Sequence, residues 1–324
     1  MKETFKIGEL SVASGEKVCK NIIVPGTDYE LPITVINGVE DGKVFLATAG
    51  VHGCEYPGIQ ALVELSQEIE PEEVCGAIVF IPVVNPSGFY GRRAYVCPAD
   101  EESTNFNHIS PGDKNGTLAW KVSAFIFDEI VPKCNFHVDM HSGDIVEDLE
   151  EFIAVCATTD PEMEKFCTEV AKHTSFTHRI NSHGRRELYN SSAIDRGVPG
   201  LLFERGGQGI LNWDEAEKDK DDIISICQYL KILDGEPIDN SEGQIYYPRH
   251  HWGEAEHTGL FYKFVNTGDE IKKGQKIGEI RDMWGNVLEE IIAKFDARVK
   301  ISPNSLGLSK GHDTFMYGST REED

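Results

Sequence analysis

Short apolar runs alternate with longer segments of helical period between residues 43 and 235, and this alternation constrains the fold more than any other feature. The runs are KVFLATAG, AIVFIPVVN, FHVDMHSG, EFIAVCAT and VPGLLFERGG. Strand-length apolar runs separated by helix-length segments are typical of a largely buried sheet with helical connections. The pattern therefore predicts an α/β fold for this part of the chain.

The period changes after LDGEPIDNSEGQ, a stretch rich in Gly, Asp, Asn and Pro. Beyond it, GLFYKFVNTGDEIKKGQKIGEI and GNVLEEIIAKFDARVKIS have the pattern of short strands joined by glycine-containing turns. We therefore predict two domains, residues 1–239 and a small, β-barrel-like C-terminal module of residues 240–324.

The chain is strongly acidic, with a formal net charge of −24 over 324 residues. Nucleic-acid binding needs clustered Lys and Arg, so we expect no nucleic-acid partner. An anionic substrate would need a local positive patch in its site. The charged N-terminus and the absence of a run of 18 apolar residues predict a cytoplasmic protein without a membrane partner. Eight singly placed cysteines are predicted to be reduced thiols.

Polar residues follow four of the predicted strands at their carboxyl ends. They are His52, Asn85, His141 and Glu204. Open α/β sheets place their ligand sites at that edge, so we expect these side chains to lie near one another.

His52 and Glu55 lie three residues apart in a glycine-rich turn, and His141 follows 86 residues after Glu55. Two imidazoles and one carboxylate form a catalytic type of zinc set, with a fourth position left for water or substrate. A single His-x-x-Glu pair also occurs between ordinary neighbours on a helix surface. Asp139 either orients His141 or is a buried structural carboxylate.

Glu204 emerges from an apolar run that we predict to be buried, and a carboxylate in that position needs a partner or a chemical task. Beside zinc it would act as general base for attack of water on a carbonyl, and then as general acid to the leaving nitrogen. The alternative is an ordinary acidic residue at a strand exit.

This order of motifs resembles the succinylglutamate desuccinylase and aspartoacylase family, which shares its fold with the zinc carboxypeptidases. The resemblance rests on His-x-x-Glu after the first core strand, NPSGF after the next, a distant His and a Glu followed by Gly-Gly. It implies a mixed, mostly parallel sheet with helices on both faces, and a β module near the active site. It also implies one zinc ion per chain on His52, Glu55 and His141, with Glu204 as the catalytic carboxylate.

The resemblance also implies residues that contact the substrate. Family members have an Arg after the NP segment, and the pattern Gly-x-Arg favours Arg93 over Arg92 as the group that polarises the scissile carbonyl. The alternative is a pair of surface arginines. NFNH matches the family string Asn-Leu-Asn-Arg, so Asn107 is retained whereas His108 replaces the Arg. Because Arg binds a carboxylate bidentately and His does not, this change leaves the substrate open.

Other basic groups are further candidates for the substrate pocket. Arg196 and Arg205 could supply positive charge, although an Arg at a helix C-terminus also interacts with the helix dipole. The stretch INSHGRRELYN could cover the site with His183, Arg185 and Arg186. In YYPRHHWGEAEH, three histidines form either a second metal site or an ordinary polar rim: His250, His251 and His257.

The sequence therefore predicts a zinc-dependent amidohydrolase that removes the acyl group from a small N-acyl amino acid or related compound. One alternative is a metallocarboxypeptidase acting on short peptides, and another is a non-enzymatic metal-binding scaffold. The acyl group, the amine and the oligomeric state stay open, and a homo-oligomer is among the states allowed.

Overall fold

A computed structural model of the protein describes residues 2–95, 105–155, 158–181 and 189–323. Its strands are β1 (Phe5–Ile7), β2 (Leu10–Val12), β3 (Glu16–Ile23), β4 (Glu30–Asn37), β5 (Glu40–Ala49), β6 (Cys75–Ile81), β7 (Phe136–His141), β8 (Glu147–Leu149), β9 (Phe152–Val155), β10 (His178–Asn181), β11 (Gly200–Glu204), β12 (Ile245–Tyr247), β13 (Arg249–Glu254), β14 (Gly259–Lys263), β15 (Glu270–Ile271), β16 (Lys276–Arg281), β17 (Val287–Ile292), β18 (Ala297–Pro303), β19 (Gly307–Leu308) and β20 (Asp313–Ser319). Its α-helices are α1 (Tyr56–Glu68), α2 (Pro86–Gly91), α3 (Phe106–Ile109), α4 (Leu118–Phe125), α5 (Pro161–Ala171), α6 (Tyr189–Ile194) and α7 (Trp213–Tyr229).

Nine strands form the central sheet in the order β12-β10-β9-β11-β7-β5-β6-β4-β3. The pairs β12/β10, β10/β9, β11/β7, β7/β5 and β5/β6 are parallel. Antiparallel pairing joins β9 to β11, β6 to β4 and β4 to β3. The prediction of a mixed, mostly parallel sheet is confirmed.

Side chains of successive strand residues point to opposite faces of the sheet, so each central strand contributes side chains to two hydrophobic cores. In β5, Phe45, Ala47 and Ala49 pack with apolar residues of α1, α5 and α7 on one face. Leu46 points to the other face, where residues of α3, α4 and α6 and of the β1–β2 hairpin complete the core. Burial on both faces explains the continuous apolar runs in the sequence, and the predicted helices on both faces are confirmed.

Strands β13 to β20 form a small all-β region. One sheet has the order β13-β20-β18-β15, another has the order β17-β16-β14-β19, and both share a core that includes Phe261, Ile280 and Phe315. The predicted C-terminal β strands are therefore confirmed. β12 begins after residue 240 but joins the central sheet through β10, so the exact division at residue 239 stays a prediction.

A short antiparallel ladder joins this β region to the α/β part. Strand β8, which begins six residues after His141, pairs with β18. Next to the ladder, Arg298 and Lys300 donate to the carboxylate of Glu150, with Lys300 Nζ 2.7 Å from Glu150 Oε2. The β region thereby supports β8, the short strand that follows the carboxyl end of β7.

Neither a membrane-crossing helix nor a disulfide occurs in the described ranges. No helix there is both long and apolar enough to cross a bilayer, and α7, at 17 residues, carries many charges. The described cysteines are all free: Cys19, Cys54, Cys75, Cys134, Cys167 and Cys227.

Arg205 lies fully buried beneath the sheet edge and joins β11 to α7. Its guanidinium donates to Asp219 at 2.7 Å and to Asp222 and Glu151 at 2.9 Å, and it stacks 3.8 Å from the ring centroid of Phe176. All its nitrogens are used in this network. Arg205 is therefore a structural residue and does not provide the positive charge for substrate that we considered from sequence.

We expect Arg205→Met to lower the free energy of unfolding by about 3–5 kcal/mol, because it leaves buried carboxylates without their cation. Lys218→Met is the control: Lys218 is exposed and lies 3.7 Å from the same Glu151, so its loss should cost at most about 1 kcal/mol. Urea unfolding of both variants measures the difference. Equal stabilities would show that the buried network does not hold β11 to α7.

Candidate active site

Three potential metal ligands meet at the carboxyl edge of the central sheet. His52 lies in the loop after β5, Glu55 is the residue before α1, and His141 is the last residue of β7. Since β5 and β7 are parallel neighbours, their carboxyl ends lie side by side. One ligand atom from each side chain lies within 4.8 Å of the other two, so this group can hold a metal ion.

The Glu55 carboxylate lies between the two imidazoles. Its Oε1 is 2.6 Å from His52 Nδ1, and its Oε2 is 3.0 Å from His141 Nδ1. The backbone N–H of Ser142 also donates to Oε2, at 3.2 Å. The two rings, with centroids 5.0 Å apart, direct the same type of nitrogen toward one carboxylate.

The outer nitrogens of both imidazoles have acceptors that fix the orientation of each ring. His141 Nε2 donates to Asp139 Oδ2 at 2.9 Å, and Thr48 Oγ1 donates to the other oxygen of Asp139 at 2.6 Å. His52 Nε2 donates to Asn105 Oδ1 at 3.0 Å. With the proton on Nε2, each Nδ1 presents a lone pair toward Glu55. A lone pair and a carboxylate so close need a positive charge between them, so the donor set fits a cation.

The electrostatics of the group also favour positive charge. Burial opposes ionisation of Glu55, but His52 and His141 outweigh burial and lower the pKa of Glu55 to about 2. Burial likewise opposes protonation of His141, whereas Asp139 and Glu55 raise its pKa well above the usual value. These side chains therefore stabilise a cationic charge at the point where they meet.

Asn85 holds the loop that carries His52 in place through backbone contacts. Its side chain accepts from Gly88 N at 2.9 Å and donates to Ala94 O at 3.2 Å and to Val51 O at 3.5 Å. Gly53 N donates to the same Ala94 carbonyl. This strand-end Asn, grouped with the site from sequence, thus joins the loop of His52 to the segment that carries the candidate arginines.

Glu204 closes β11 and is level with His141 in the parallel β7–β11 ladder. Burial raises the pKa of Glu204 to about 8, with further increases from Glu55 and Glu147 and opposing effects of His141 and His52. Glu147, which sequence reasoning missed, is affected in a similar way: burial raises its pKa to about 7, and Asp144 and Glu55 add to the rise. Two carboxyl groups outside the ligand set therefore interact electrostatically with its side chains.

The two arginines after the NP segment, Arg92 and Arg93, follow α2 and are exposed. Arg93 N donates to Gly88 O, and the carbonyl of the next residue, Ala94, accepts from Gly53 N in the loop that carries His52. The Arg93 side chain is exposed and forms no ion pair within the described part of the chain. Arg92 ends α2 in a left-handed conformation, with φ of 55°. The ring centroid of Tyr95 lies 6.1 Å from that of His52.

The other residues predicted to contact the substrate are Asn107, His108 and Arg196. Asn107 is buried in α3, close to Asn105, whereas the side chain of His108 is exposed. Arg196 precedes β11, so it lies at the end of the strand opposite Glu204, and its guanidinium pairs with Asp128 at 2.9 Å. The structure therefore places Asn107 next to the site but does not bring Arg196 to it.

Two basic groups remain: the stretch predicted to cover the site, and the three histidines predicted to form either a second metal site or a polar rim. His183, Arg185 and Arg186 lie outside the described residues. Of the three histidines in YYPRHHWGEAEH, His251 packs against Tyr317 and His257 pairs with Glu289 at 3.4 Å. Within the described ranges, His52, Glu55 and His141 are the one group that could hold a metal ion, and His250 is not part of it.

Comparisons with known proteins identify the family of the chain. The model of the succinylglutamate desuccinylase/aspartoacylase catalytic domain matches residues 41–230, more than half of the chain. The chain belongs to this family. Its members are N-acyl amino acid deacylases, which are hydrolases that act on amide bonds.

Relatives of known name or structure extend over most of the chain. N-alpha-acetyl-L-2,4-diaminobutyric acid deacetylase of Halomonas elongata is 30% identical over 259 residues, which cover 78% of this chain and 74% of that protein. The succinylglutamate desuccinylase/aspartoacylase structure from Rhodobacter sphaeroides has a TM-score of 0.83 at 23% identity, covering 95% of this chain and 96% of that one. The product-bound ectoine utilization protein EutE (DoeB) from Ruegeria pomeroyi has a TM-score of 0.81 at 21% identity, covering 93% of each chain. The two structures show a shared fold.

We expect Asp139→Ala to weaken zinc binding about 10–100-fold, because His141 loses the carboxylate that orients its ring. Asn105→Ala should weaken it less, since Asn105 is a neutral acceptor. The matched control is Asp148→Asn, which removes a nearby carboxylate bonded to Gln208 instead of to a ligand. Competition with a chromophoric chelator measures all three affinities. An Asp139→Ala protein that binds zinc as tightly as the control would refute the orienting role.

Proposed function

We propose that the protein is a zinc-dependent deacylase that hydrolyses the amide bond of a small N-acyl amino acid. The observation that carries the proposal is the His52–Glu55–His141 group beside Glu204 at one edge of the sheet. Membership in a deacylase family supports the amide bond as the target. The named deacetylase relative supports an acetylated amino acid as substrate.

The donor set supports zinc, one ion per chain. Two imidazole nitrogens and one carboxylate are the ligands of catalytic zinc sites, and they leave a coordination position open. When bound there, zinc supplies Lewis-acid polarisation of a carbonyl group and activation of water. The six free cysteines in the described ranges support the cytoplasmic location that we propose.

Glu204 is the residue that we assign to proton transfer. It accepts a proton from the attacking water and later delivers a proton to the departing amine nitrogen. A general base that becomes a general acid works best with a pKa near the working pH, and burial raises the pKa of Glu204 in this direction. Buried surroundings also strengthen its interaction with the charges that develop during the reaction.

Arg93 is the group that we assign to the carbonyl oxygen of the substrate. Its side chain has no ion-pair partner in the described residues, and its backbone is bonded to the loop that carries His52. A guanidinium there would stabilise negative charge on the carbonyl oxygen. We propose Asn107, with Arg92 and His108 on the surface, as contacts for more distant parts of the substrate. The ion pair of Arg196 with Asp128 gives Arg196 a different role.

We expect Glu204→Gln to lower kcat by about 10²–10⁴-fold while zinc stays bound, because the glutamine side chain cannot accept the proton from water. Zinc content by atomic absorption, measured together with kcat, separates loss of catalysis from loss of metal. Asp148→Asn, the control carboxylate variant, should retain wild-type kcat. Turnover at the wild-type rate in Glu204→Gln would exclude our mechanism.

We further expect zinc-loaded protein to hydrolyse N-acetyl amino acids faster than unblocked dipeptides of the same C-terminal residue. A panel that varies the acyl group and the amino acid separately measures kcat/KM for each part. Removal of zinc with a chelator should abolish activity, and added zinc should restore it. Preference for dipeptides would support a carboxypeptidase instead, and binding of zinc without any turnover would support a scaffold.

A further inference from the structure

We propose that Glu147 binds a cationic group on the amino-acid part of the substrate, and that N-acyl amino acids with a second, free amine are the preferred substrate class. This inference rests on the deacylase activity proposed above and names the substrate class of the same site. It concerns a carboxylate that neither the ligand set nor the proton transfer uses.

Backbone hydrogen bonds hold Glu147 between the segments that follow β7 and β11. The stretch 141–147 is joined to the stretch 205–208 through Arg205 N to His141 O, Gly143 N to Gly206 O and Gln208 N to Glu147 O, each at 3.1 Å. These two stretches continue directly from His141 and Glu204. Glu147 therefore lies beside the catalytic edge of the sheet.

The β region supports Glu147 from the other side. The Cα atom of Glu147 pairs with that of Pro303 in the β8–β18 ladder, and Asn304 N donates to Val146 O at 2.6 Å. The carboxylate is thus carried by a strand fixed between two parts of the protein. A rigid support is what a specificity-determining group needs, because a small displacement weakens recognition.

The carboxylate of Glu147 has no basic partner within the described residues. Its Oε2 accepts one hydrogen bond, from Asp144 N at 3.0 Å, and it takes part in no ion pair there. The strongest charges acting on it are those of Asp144, Glu55 and His52, with no Lys or Arg among them. Among the described residues, this partly buried carboxylate thus lacks a cationic partner, and a positive charge on the substrate would supply one.

Other features of the pocket agree with a cationic substrate. The charges that act most strongly on Glu204 likewise include no Lys or Arg. The ring centroid of Tyr95 lies 6.1 Å from that of His52, and burial, followed by the negative charges of Asp144 and Glu147, raises the pKa of its hydroxyl. The Halomonas elongata relative is named for a substrate with a second amine, 2,4-diaminobutyric acid.

A matched substrate pair tests this role of Glu147. N-α-acetyl-2,4-diaminobutyrate carries an ammonium group, and N-acetylnorvaline has a neutral side chain of similar length. We expect the wild-type kcat/KM to be at least tenfold higher for the first substrate than for the second. Glu147→Gln should lower this ratio at least tenfold, chiefly by raising KM for the first substrate. Glu147→Asp should retain part of the preference, because it keeps the charge.

Asp148→Asn is the matched control for this experiment. Asp148 is the next residue of β8, and its carboxylate accepts from Gln208 Nε2 at 3.2 Å. The substitution removes the same amount of charge from the same strand, so an unchanged preference in Asp148→Asn would show that net charge is not responsible. If Glu147→Gln lowered kcat/KM by the same factor for both substrates, the inference would be overturned. It would also be overturned if Asp148→Asn lost the preference for the diamine to the same extent.

A binding measurement distinguishes failure of this inference from failure of the proposed function. Calorimetry of zinc-loaded protein with 2,4-diaminobutyrate and with 2-aminobutyrate needs no turnover. Tighter binding of the diamine by wild type but not by Glu147→Gln supports the inference even if no amide is hydrolysed. Hydrolysis of N-acetyl amino acids without any preference for the diamine would retain the deacylase and reject the role of Glu147.

Discussion

The interaction on which the site depends is the contact of the Glu55 carboxylate with the Nδ1 atoms of His52 and His141. A buried carboxylate is costly unless positive charge lies next to it. Both rings therefore must be held with Nδ1 toward Glu55, where a bound cation would contact all three side chains. Asp139 and Asn105 do this by accepting from the outer nitrogens. The geometry of the ligand group is therefore determined by residues that would never contact the metal.

The sheet explains why the sequence could predict that the candidate metal ligands and Glu204 lie together. β5, β7 and β11 are adjacent parallel strands, and residues at their carboxyl ends must meet even though the chain separates them widely. Apolar runs mark these strands, and the residues after the runs are then candidates for the site. His52, His141 and Glu204 were found in this way, and Asp139 was found because alternate residues of a strand share a face.

Residues whose position depends on distant contacts could not be found by the same reasoning. Glu147 lies on a three-residue strand without an apolar run, and β18, which pairs with it, comes about 150 residues later. Asn105 lies in the string that we compared with the family, but nothing in its spacing shows that it accepts from His52. Arg205 follows Glu204 directly, yet only the fold shows that it points into a buried network with α7.

Arg205 and Glu147 show how two charges beside one site acquire different roles. The guanidinium of Arg205 is saturated by carboxylates of its own chain, so it contributes stability and has no capacity for a ligand. The carboxylate of Glu147 has a single backbone donor and no cation in the described residues. The chain as a whole has a net charge of −24, so its field attracts cations, and the carboxylate of Glu147 adds a local negative charge. A substrate with a free ammonium group would therefore be favoured both during approach and once bound, whereas a dianionic acyl amino acid would be opposed at both stages.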